Sequence, residues 1–360
     1  MTSFDEERFD RFAAAAEQAT SSMIVRPDGV QEWRNTAGRL HRNGDLPAVI
    51  YPEGTRMWCR DDEYHRDGNR PAIVYPDGTK FWYRHGKLHR DGDLPAIIYQ
   101  AGRKEWYWAG ERHRSGDRPA VVYPDDREEW YRHGQLHRDG DLPAIVYAEG
   151  TREWYRDGQL HRDNDLPAVV AADNFREWHQ HGELHRDNGL PAVIHPDGTR
   201  IWYQHGRKHR DNDLPAIIHP DGTQIWYQYG RKHRDNDLPA IMSPDGRQEW
   251  WQNGKRHRDN DLPAIMGPDG RQEWWWHNKT HRVSGPAVTG PDGAREWWVM
   301  GEETEHPDLC EQACAPARTS EEKTQLALLC LHDDPAVATI AVNNPSCPEE
   351  GTAAYYLKHT

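Results

Sequence analysis

The stretch HRDGDLPAIIYQAGRKEWYWAGERHRSGDRPAVVYP, residues 89–124, decides the fold because it contains the same pattern twice. His-Arg, Pro-Ala and Trp recur in the same order, and the two His-Arg pairs begin 24 residues apart. His-Arg occurs eleven times at this spacing, beginning at residues 41, 65, 89, 113, 137, 161, 185, 209, 233, 257 and 281. A period held over so many units indicates a tandem repeat, in which each unit packs on its neighbours.

Composition and charge exclude several classes of protein. Only 36% of the residues are hydrophobic, yet 17 Trp and 15 Tyr are not the composition of a disordered chain. The net charge of −14 argues against a nucleic-acid partner. No apolar run approaches the roughly 18 residues of a membrane span, and the acidic start MTSFDEERFD is not a signal peptide. Five Cys do not form the disulfide framework of a secreted domain, so we expect a cytoplasmic protein without integral membrane association.

Two turns recur in every unit. Pro76-Asp77-Gly78 is typical of a type I turn whose Gly takes a positive φ. The same Gly position holds Asp126 and Asn174 in two units, and Asp and Asn are the residues other than Gly that best tolerate positive φ. The second turn is x-Gly, three residues before the His, with Asp62 and Asn278 in place of the Gly in two units. Its example Asp157-Gly158 predicts a type I′ hairpin turn.

The residues between the turns favour short β-strands, such as those at 71–75 and 80–84. Each unit is therefore predicted to form two antiparallel strands, and the next unit continues the meander. The expected fold is mainly β: an elongated single-layer antiparallel β-meander of about twelve 24-residue hairpin repeats. With strands about 4.8 Å apart, such a ribbon is on the order of 115 Å long. A β-solenoid with 24-residue coils is the alternative.

Side chains alternate across a sheet, so the residue after each Trp should lie on the opposite face. One aromatic ladder is predicted to be structural, and it contains Trp82, Trp106, Trp130, Trp154, Trp178, Trp202, Trp226, Trp250 and Trp274. The other is the candidate interaction face, and it contains Tyr83, Tyr107, Tyr131, Tyr155, Tyr203, Tyr227, Trp251, Trp275 and Trp298. In one interpretation each ring packs on the ring of the adjacent unit. In the other, the Tyr side is open and binds a partner.

His-Arg-Asp also occurs in the catalytic loop of protein kinases, but here it is repeated, and no Asp-Phe-Gly accompanies it. The His of each pair is instead predicted to fix a turn by hydrogen bonding; these are His89, His113, His137, His161, His185, His209, His233 and His257. Stacked His residues about 10 Å apart cannot share a metal ion. The loop at 91–93 favours an Arg–Asp ladder, with calcium as the alternative. No catalytic, metal or cofactor residue is predicted.

The pattern resembles the MORN repeat. The matching positions are Gly86, His89, Asp77-Gly78 and Trp82, and the resemblance covers residues 26 to about 301. It is a variant, since Arg follows the His and a loop then leads to Pro-Ala. MORN arrays are single-layer meanders of β-hairpins that act mostly as scaffolds and dimerisation surfaces, and some are linked to phospholipid. The resemblance therefore implies a scaffold with a protein partner or a second copy of the chain.

The ends differ from the array. Residues 1–22 are predicted to form an N-terminal capping or docking helix that opens with a capping box at Ser3–Glu6, and the repeats occupy 23–303. Residues 304–360 are predicted to form a helical C-terminal cap, in which Asp334-Pro335 begins one helix. Residues 331–350 resemble one variant leucine-rich repeat of bacteria. The Cys at 310, 314, 330 and 347 are interpreted as buried thiols, with a metal site as the alternative.

These observations predict a non-enzymatic protein–protein interaction scaffold that uses its extended aromatic surface. The alternative is a glycan- or lipid-binding module, because regularly spaced Tyr and Trp rings suit stacking on sugars. An enzyme would need a unique polar cleft, which a repeated sequence does not indicate.

Overall fold

The structure is a computed structural model that describes residues 21–304, 329 and 335–345. It divides into two compact units. The first contains the described residues up to Asn174 together with Trp178–Gly182, and the second contains Phe175–Glu177 and the described residues from Glu183 onwards. The predicted helix within residues 1–22 and the Cys at 310, 314, 330 and 347 lie outside the described residues.

Twenty-four strands pair as an antiparallel meander, two for each of twelve repeats, which confirms the predicted fold class. We call them meander strands. In the first unit they are Ser22–Val25, Gln31–Arg34, Val49–Ile50, Arg56–Met57, Ile73–Val74, Lys80–Phe81, Ile97–Ile98, Lys104–Glu105, Val121–Val122, Glu128–Glu129, Ile145–Val146, Arg152–Glu153 and Val169–Val170. In the second unit they are Arg176–Glu177, Val193–Ile194, Arg200–Ile201, Ile217–Ile218, Gln224–Ile225, Ile241–Met242, Gln248–Glu249, Ile265–Met266, Gln272–Glu273, Val288–Thr289 and Arg295–Glu296.

The remaining strands form small two-stranded hairpins, which we call side hairpins. In the first unit their strands are Cys59–Arg60, Glu63–Tyr64, Tyr83–Arg84, Lys87–Leu88, Tyr107–Trp108, Glu111–Arg112, Tyr131–Arg132, Gln135–Leu136, Tyr155–Arg156, Gln159–Leu160 and His179–Gln180. In the second unit they are Glu183–Leu184, Tyr203–Gln204, Arg207–Lys208, Tyr227–Gln228, Arg231–Lys232, Trp251–Gln252, Lys255–Arg256, Trp275–Trp276, Lys279–Thr280, Trp298–Val299 and Glu302–Glu303.

The predicted two strands per repeat form the meander, but the sequence analysis did not predict the side hairpins, which arise because the chain changes its pairing partner at each Trp. In a typical repeat, Lys80–Phe81 pairs with meander strands on both sides, whereas Tyr83–Arg84 pairs only with Lys87–Leu88. Trp82 lies between the two pairings: its N–H donates to the carbonyl of Ala96, and its own carbonyl accepts from the N–H of His89. One continuous run of β-rich sequence therefore contributes to two hairpins.

Both predicted turns are confirmed by the backbone. At Pro76-Asp77-Gly78 the glycine has φ +93°, and the N–H groups of Gly78 and Tyr75 bond back across the turn. Asp126 and Asn174 have φ values of 65° and 71° at the equivalent position. At the x-Gly turn both central residues have positive φ, as in Asp157 at 49° and Gly158 at 81°, which is the type I′ geometry.

A third turn lies in the loop that follows each His-Arg. In Asp163–Leu166 the N–H of Leu166 donates to the carbonyl of Asp163. The two central residues have φ values of 59° for Asn164 and 55° for Asp165, so this is a second type I′ turn. Because both positions need positive φ, the loop alternates between Gly, Asn and Asp there. The turn presents the residue before Pro-Ala, here Leu166, to solvent.

The core of each repeat is small and lies under large side chains. The Ala of Pro-Ala is fully buried in every described repeat, and the ladder Trp is 3–8% exposed from Trp58 to Trp297. The first strand, Ser22–Val25, is exposed throughout.

At the other end, the helix Pro335–Val342 lies against the strand Trp298–Val299. The helix begins at the Pro that the sequence placed in its first turn. That the C-terminal segment caps the last hairpin stays a prediction.

Candidate interaction surfaces

The Arg of each His-Arg pair joins two consecutive repeats. The guanidinium of Arg162 lies 3.8 Å from the ring centroid of Trp154, and its Nε and Nη2 donate to the two carboxylate oxygens of Asp141 in the preceding loop. Its Nη1 donates to the carbonyl of Pro167, 3.3 Å away. A planar, always charged group is suited to stacking and bidentate pairing at once. The pKa of Asp141 is lowered from its usual value, chiefly by the hydrogen bond from Arg162.

This arrangement replaces the expected stacking of the Trp ladder ring on ring. Equivalent rings lie two strand spacings apart, about 10 Å, which exceeds the 4.5–7 Å of an aromatic pair. A guanidinium covers the ring instead in ten repeats, as Arg90 covers Trp82 at 3.8 Å. In nine repeats the indole N–H also donates to a loop carbonyl thirteen residues earlier, as from Trp106 to Asp93.

The His of each pair ties its own loop to the next side hairpin. Nε2 of His137 lies 3.0 Å from a carboxylate oxygen of Asp139, and Nδ1 accepts from the backbone N–H of Asp157 at 3.2 Å. The hydrogen bond from His137 is the main cause that lowers the pKa of Asp139. The same two contacts recur for His89, His161, His185 and His233. His, Arg and Asp thus have three separate architectural roles.

The Tyr ladder lies on the opposite face, but its rings are covered rather than open. The hydroxyl of Tyr107 donates to Glu105, which is fully buried and forms ion pairs with Arg103 and Arg112. The guanidinium of Arg112 lies 5.9 Å and 5.4 Å from the rings of Tyr107 and Tyr131. Burial raises the pKa of both phenols to about 12.

The same covering continues along this face in the second unit. The ammonium of Lys232 lies 4.4 Å from the ring of Trp251, and Arg256 lies between Trp251 and Trp275 at 5.0 Å and 4.5 Å. Tyr83, Tyr155, Tyr203 and Tyr227 are half-buried as well. Cations from neighbouring strands thus fill the gaps of about 10 Å between Tyr107 and Tyr131 and between Trp251 and Trp275. That this ladder is the interaction face stays a prediction.

The sequence reasoning missed a row of exposed leucines. They occupy the last position of the type I′ turn before Pro-Ala, and they are 38–48% exposed. We call Leu46, Leu94, Leu142, Leu166, Leu190, Leu214, Leu238 and Leu262 the leucine row. Arg70 and Arg118 occupy the same position in two repeats. The repeated sequence Asp-Leu-Pro-Ala could have indicated the row, because in it one apolar residue follows a polar loop.

Grooves open beside this row where consecutive loops diverge. One groove, of about 480 Å³, lies between the loops at 41–46 and 65–70 and is bordered by Leu46 and Trp58. An equivalent groove of about 160 Å³ is bordered by Leu142 and Trp154. Both combine an apolar rim with the charged pairs of the Arg–Asp ladder.

Neither a metal cluster nor a membrane-spanning helix is found among the described residues. Within them, no three His, Cys, Asp or Glu side chains are placed to hold a metal ion. The loop carboxylates that could have bound calcium face arginines instead, as Asp93 faces Arg114 and Arg118. Over the same residues, no helix has the length and hydropathy to cross a bilayer. Cys59, in the Tyr position of its repeat, is buried, and burial raises the pKa of its thiol to about 12.

Comparison with known proteins gives no family. No protein-family model matches the chain, and no curated protein does. One similar structure is the G-box domain of the microcephaly protein CPAP, whose analysis suggests a role in centriole elongation: TM-score 0.14, 16% identity, covering 64% of this chain and 97% of that one. Another is a mutant of the TCP10 domain of Danio rerio CPAP: TM-score 0.14, 13% identity, covering 79% of this chain and 98% of that one. At these TM-scores neither similarity assigns a fold or a function.

Proposed function

We propose that the chain is a non-enzymatic, MORN-like scaffold that binds a protein partner along the leucine row. The observation that supports this is the exposure of the same apolar residue at the same turn in eight repeats. A single exposed Leu needs no explanation, but an ordered row of them is typical of an interaction surface. Packing within the chain does not require Leu there, because Arg70 and Arg118 occupy the position in two repeats.

The loops that present the row are held in place before any partner binds. The turn at Asp211–Leu214 is closed by a backbone hydrogen bond, and Asp211 is paired with His209. Loops that are already ordered lose little conformational freedom on binding, which favours affinity. Leucines about 10 Å apart, two strand spacings, would let one extended partner collect several weak apolar contacts. The partner is a protein, and a second copy of the chain is one such partner.

The glycan- or lipid-binding alternative has no observation in its favour. It requires free ring faces on the Tyr side, and five of the rings there lie against arginine or lysine side chains: Tyr107, Tyr131, Tyr227, Trp251 and Trp275. An enzymatic role also lacks support, because the chemistry of His, Arg and Asp is occupied by contacts that recur in each repeat.

The test is a variant in which Leu190, Leu214, Leu238 and Leu262 are all changed to Arg. Partners of the full chain are first identified by quantitative cross-linking in host cells, and the main partner is then purified. Its affinity for wild type and variant is measured by calorimetry, and the mass of each chain is measured by light scattering. We expect the variant to lose the partner, or to dissociate if the partner is a second copy.

The control variant carries Gln224→Arg, Gln248→Arg and Gln272→Arg, which add charge to the same unit away from the leucine row. It should bind as wild type does. If the Leu-to-Arg variant binds as tightly as the control while both keep the wild-type circular dichroism spectrum, the leucine row is not the binding surface.

A further inference from the structure

A second row runs along the Trp face, where the meander strands alternate a cation with an aliphatic residue. In the strand register, Arg56 lies opposite Val74, and Val74 lies opposite Lys80 on its other side. Lys80 in turn lies opposite Ile98. Ile98 then pairs with Lys104, and Lys104 with Val122. We call these six residues the cation–aliphatic row. All of them belong to the first unit, and consecutive members lie one strand apart, about 4.8 Å.

The three cations of this row differ from the arginines of the His-Arg pairs in having no partner. Arg56, Lys80 and Lys104 are exposed, and none of them forms an ion pair or hydrogen bond with the residues that the structure describes. By contrast, Arg66 and Arg114 are bound to the carboxylates of Asp45 and Asp93. A structural role in the repeat does not account for the unpaired charges, since buried or paired cations hold the fold elsewhere.

The row is a local positive feature in an acidic chain. The whole chain has a net charge of −14, yet Arg56, Lys80 and Lys104 fall at equivalent positions in three consecutive repeats. Glu128 ends the run in the next repeat. Arg152, Arg176 and Arg200 hold a cation again at the equivalent positions of later repeats. Gln224, Gln248 and Gln272 hold those positions in the second unit, so the same architecture also exists without the charge.

We propose that the cation–aliphatic row docks an acidic amphipathic α-helix of a partner protein, lying across the strands. A heptad of α-helix rises about 10.5 Å, close to the roughly 9.6 Å between cations on alternate strands. One acidic side chain per heptad would pair with Arg56, Lys80 and Lys104 in turn. An apolar side chain three or four residues later would lie on Val74, Ile98 and Val122. A straight helix can follow the row over only a few strands, because neighbouring strands are rotated by about 20° relative to one another.

The alternation distinguishes this partner from other anions. Phosphate groups of a nucleic acid would use the cations, but they would leave the half-buried Val74, Ile98 and Val122 without contacts. An anionic bilayer would contact the row as well, but it needs no spacing of about 10 Å between charges. The proposal rests on the proposed function only in taking the partner to be a protein, and it does not involve the leucine row.

The test uses a synthetic helical peptide of three heptads, each with Glu at the first position and Leu at the fourth, and a second peptide with Gln in place of Glu. Binding is measured by fluorescence anisotropy at low and physiological salt, on the full chain with Arg152, Arg176 and Arg200 changed to Gln, because these three cations hold the equivalent positions of later repeats. We expect the Glu peptide to bind. The Gln peptide should bind at least about tenfold more weakly. The variant Arg56→Glu, Lys80→Glu, Lys104→Glu should reduce the affinity for the Glu peptide by about tenfold or more.

The matched control is Gln224→Glu, Gln248→Glu, Gln272→Glu, which introduces the same residues at the same positions of the second unit and should leave binding unchanged. The proposal is overturned if the Glu peptide does not bind, or if both triple variants bind it equally. It is also overturned if the row binds single-stranded RNA or phosphatidylserine vesicles and not the peptide. The Leu-to-Arg variant retains this row, so failure of the proposed function would leave peptide binding intact.

Discussion

At the scale of single residues, the repeat depends on an Arg that has three partners at once. Arg162 stacks on Trp154, pairs with Asp141 and donates to Pro167. Lys keeps the charge but has neither the planar face nor the bidentate fork. The position therefore selects Arg for its shape, which explains why His is followed by Arg in all eleven pairs.

Arg162→Lys should lower the free energy of unfolding of its repeat by about 1–2 kcal/mol. Hydrogen exchange of the backbone amides around Trp154 measures this locally. The control is Arg152→Lys, since Arg152 is exposed and unpaired among the described residues, and it should change stability by less than about 0.5 kcal/mol. Equal effects of the two substitutions would show that the stacked arrangement contributes nothing.

The lowered pKa of Asp163 predicts that the stability of the fold depends on pH. Hydrogen bonds from Arg156 and His161 lower its pKa to about 2. A carboxyl whose folded pKa is depressed stabilises the fold above its unfolded pKa of about 3.9, and the stabilisation is lost as pH falls toward 2. The urea midpoint should therefore fall more steeply between pH 4 and pH 2 for wild type than for Asp163→Asn. If the urea midpoints of wild type and Asp163→Asn fall equally between pH 4 and pH 2, the lowered pKa of Asp163 does not contribute to stability.

Cys59 should be unreactive in the folded chain. Burial holds the pKa of its thiol at about 12, so almost no thiolate exists at pH 8. Iodoacetamide labelling at pH 8, read by peptide mass spectrometry, should modify the peptide that contains Cys59 only after denaturation. Rapid labelling of that peptide in native buffer would mean that the side hairpin at Cys59–Arg60 opens.

At the scale of elements, the loop turn explains a pattern that the sequence showed but did not explain. The central residues of Asp211–Leu214 have φ values of 61° for Asn212 and 52° for Asp213. Side chains branched at Cβ are strained in this region, whereas Gly, Asn and Asp are tolerated. The backbone conformation of the turn is therefore enough to restrict these two positions to Gly, Asn and Asp.

Asn212→Gly should be neutral within about 0.5 kcal/mol, and Asn212→Val should destabilise its repeat by about 1–3 kcal/mol. Gly92 already holds the equivalent position of another repeat with φ 76°. Chemical denaturation followed by Trp fluorescence measures both variants. A neutral Asn212→Val would mean that the loop does not require the left-handed conformation.

At the scale of the whole molecule, the sequence predicted what depends on periodicity and turn chemistry. The period of 24, the glycines of two turns and the alternation of Trp and Tyr were enough to predict the hairpin meander. The exchange of partners at Trp82 was not predictable, because strand pairing depends on contacts with neighbouring repeats rather than on local propensity. The cations over the rings of this face, Arg112 over Tyr131 and Lys232 over Trp251, were not predicted, because the sequence has no regular pattern that shows where long flexible side chains will pack.

An array of repeats should tolerate the deletion of a whole repeat but not of part of one, since each repeat contacts only its neighbours. Removing residues 209–232, one whole repeat, should leave a folded chain with a slightly lower melting temperature. Removing residues 209–220, half a repeat, would join a loop to the wrong turn and should abolish cooperative unfolding of the second unit. Circular dichroism melts of the two deletions compare these outcomes directly, and equal damage would contradict an array of equivalent repeats.

We propose that the leucine row is the surface on which a protein partner binds. Photo-cross-linking tests it most directly, with a photoreactive amino acid placed singly at Leu190, Leu214, Leu238 or Leu262. The matched positions are Asp197, Asp221, Asp245 and Asp269, which are exposed in the opposite turn of the same repeats. The account predicts adducts with one protein partner from the leucine positions and few from the aspartates. Adducts from the aspartates alone, or from neither set in cells that express the partner, would contradict it.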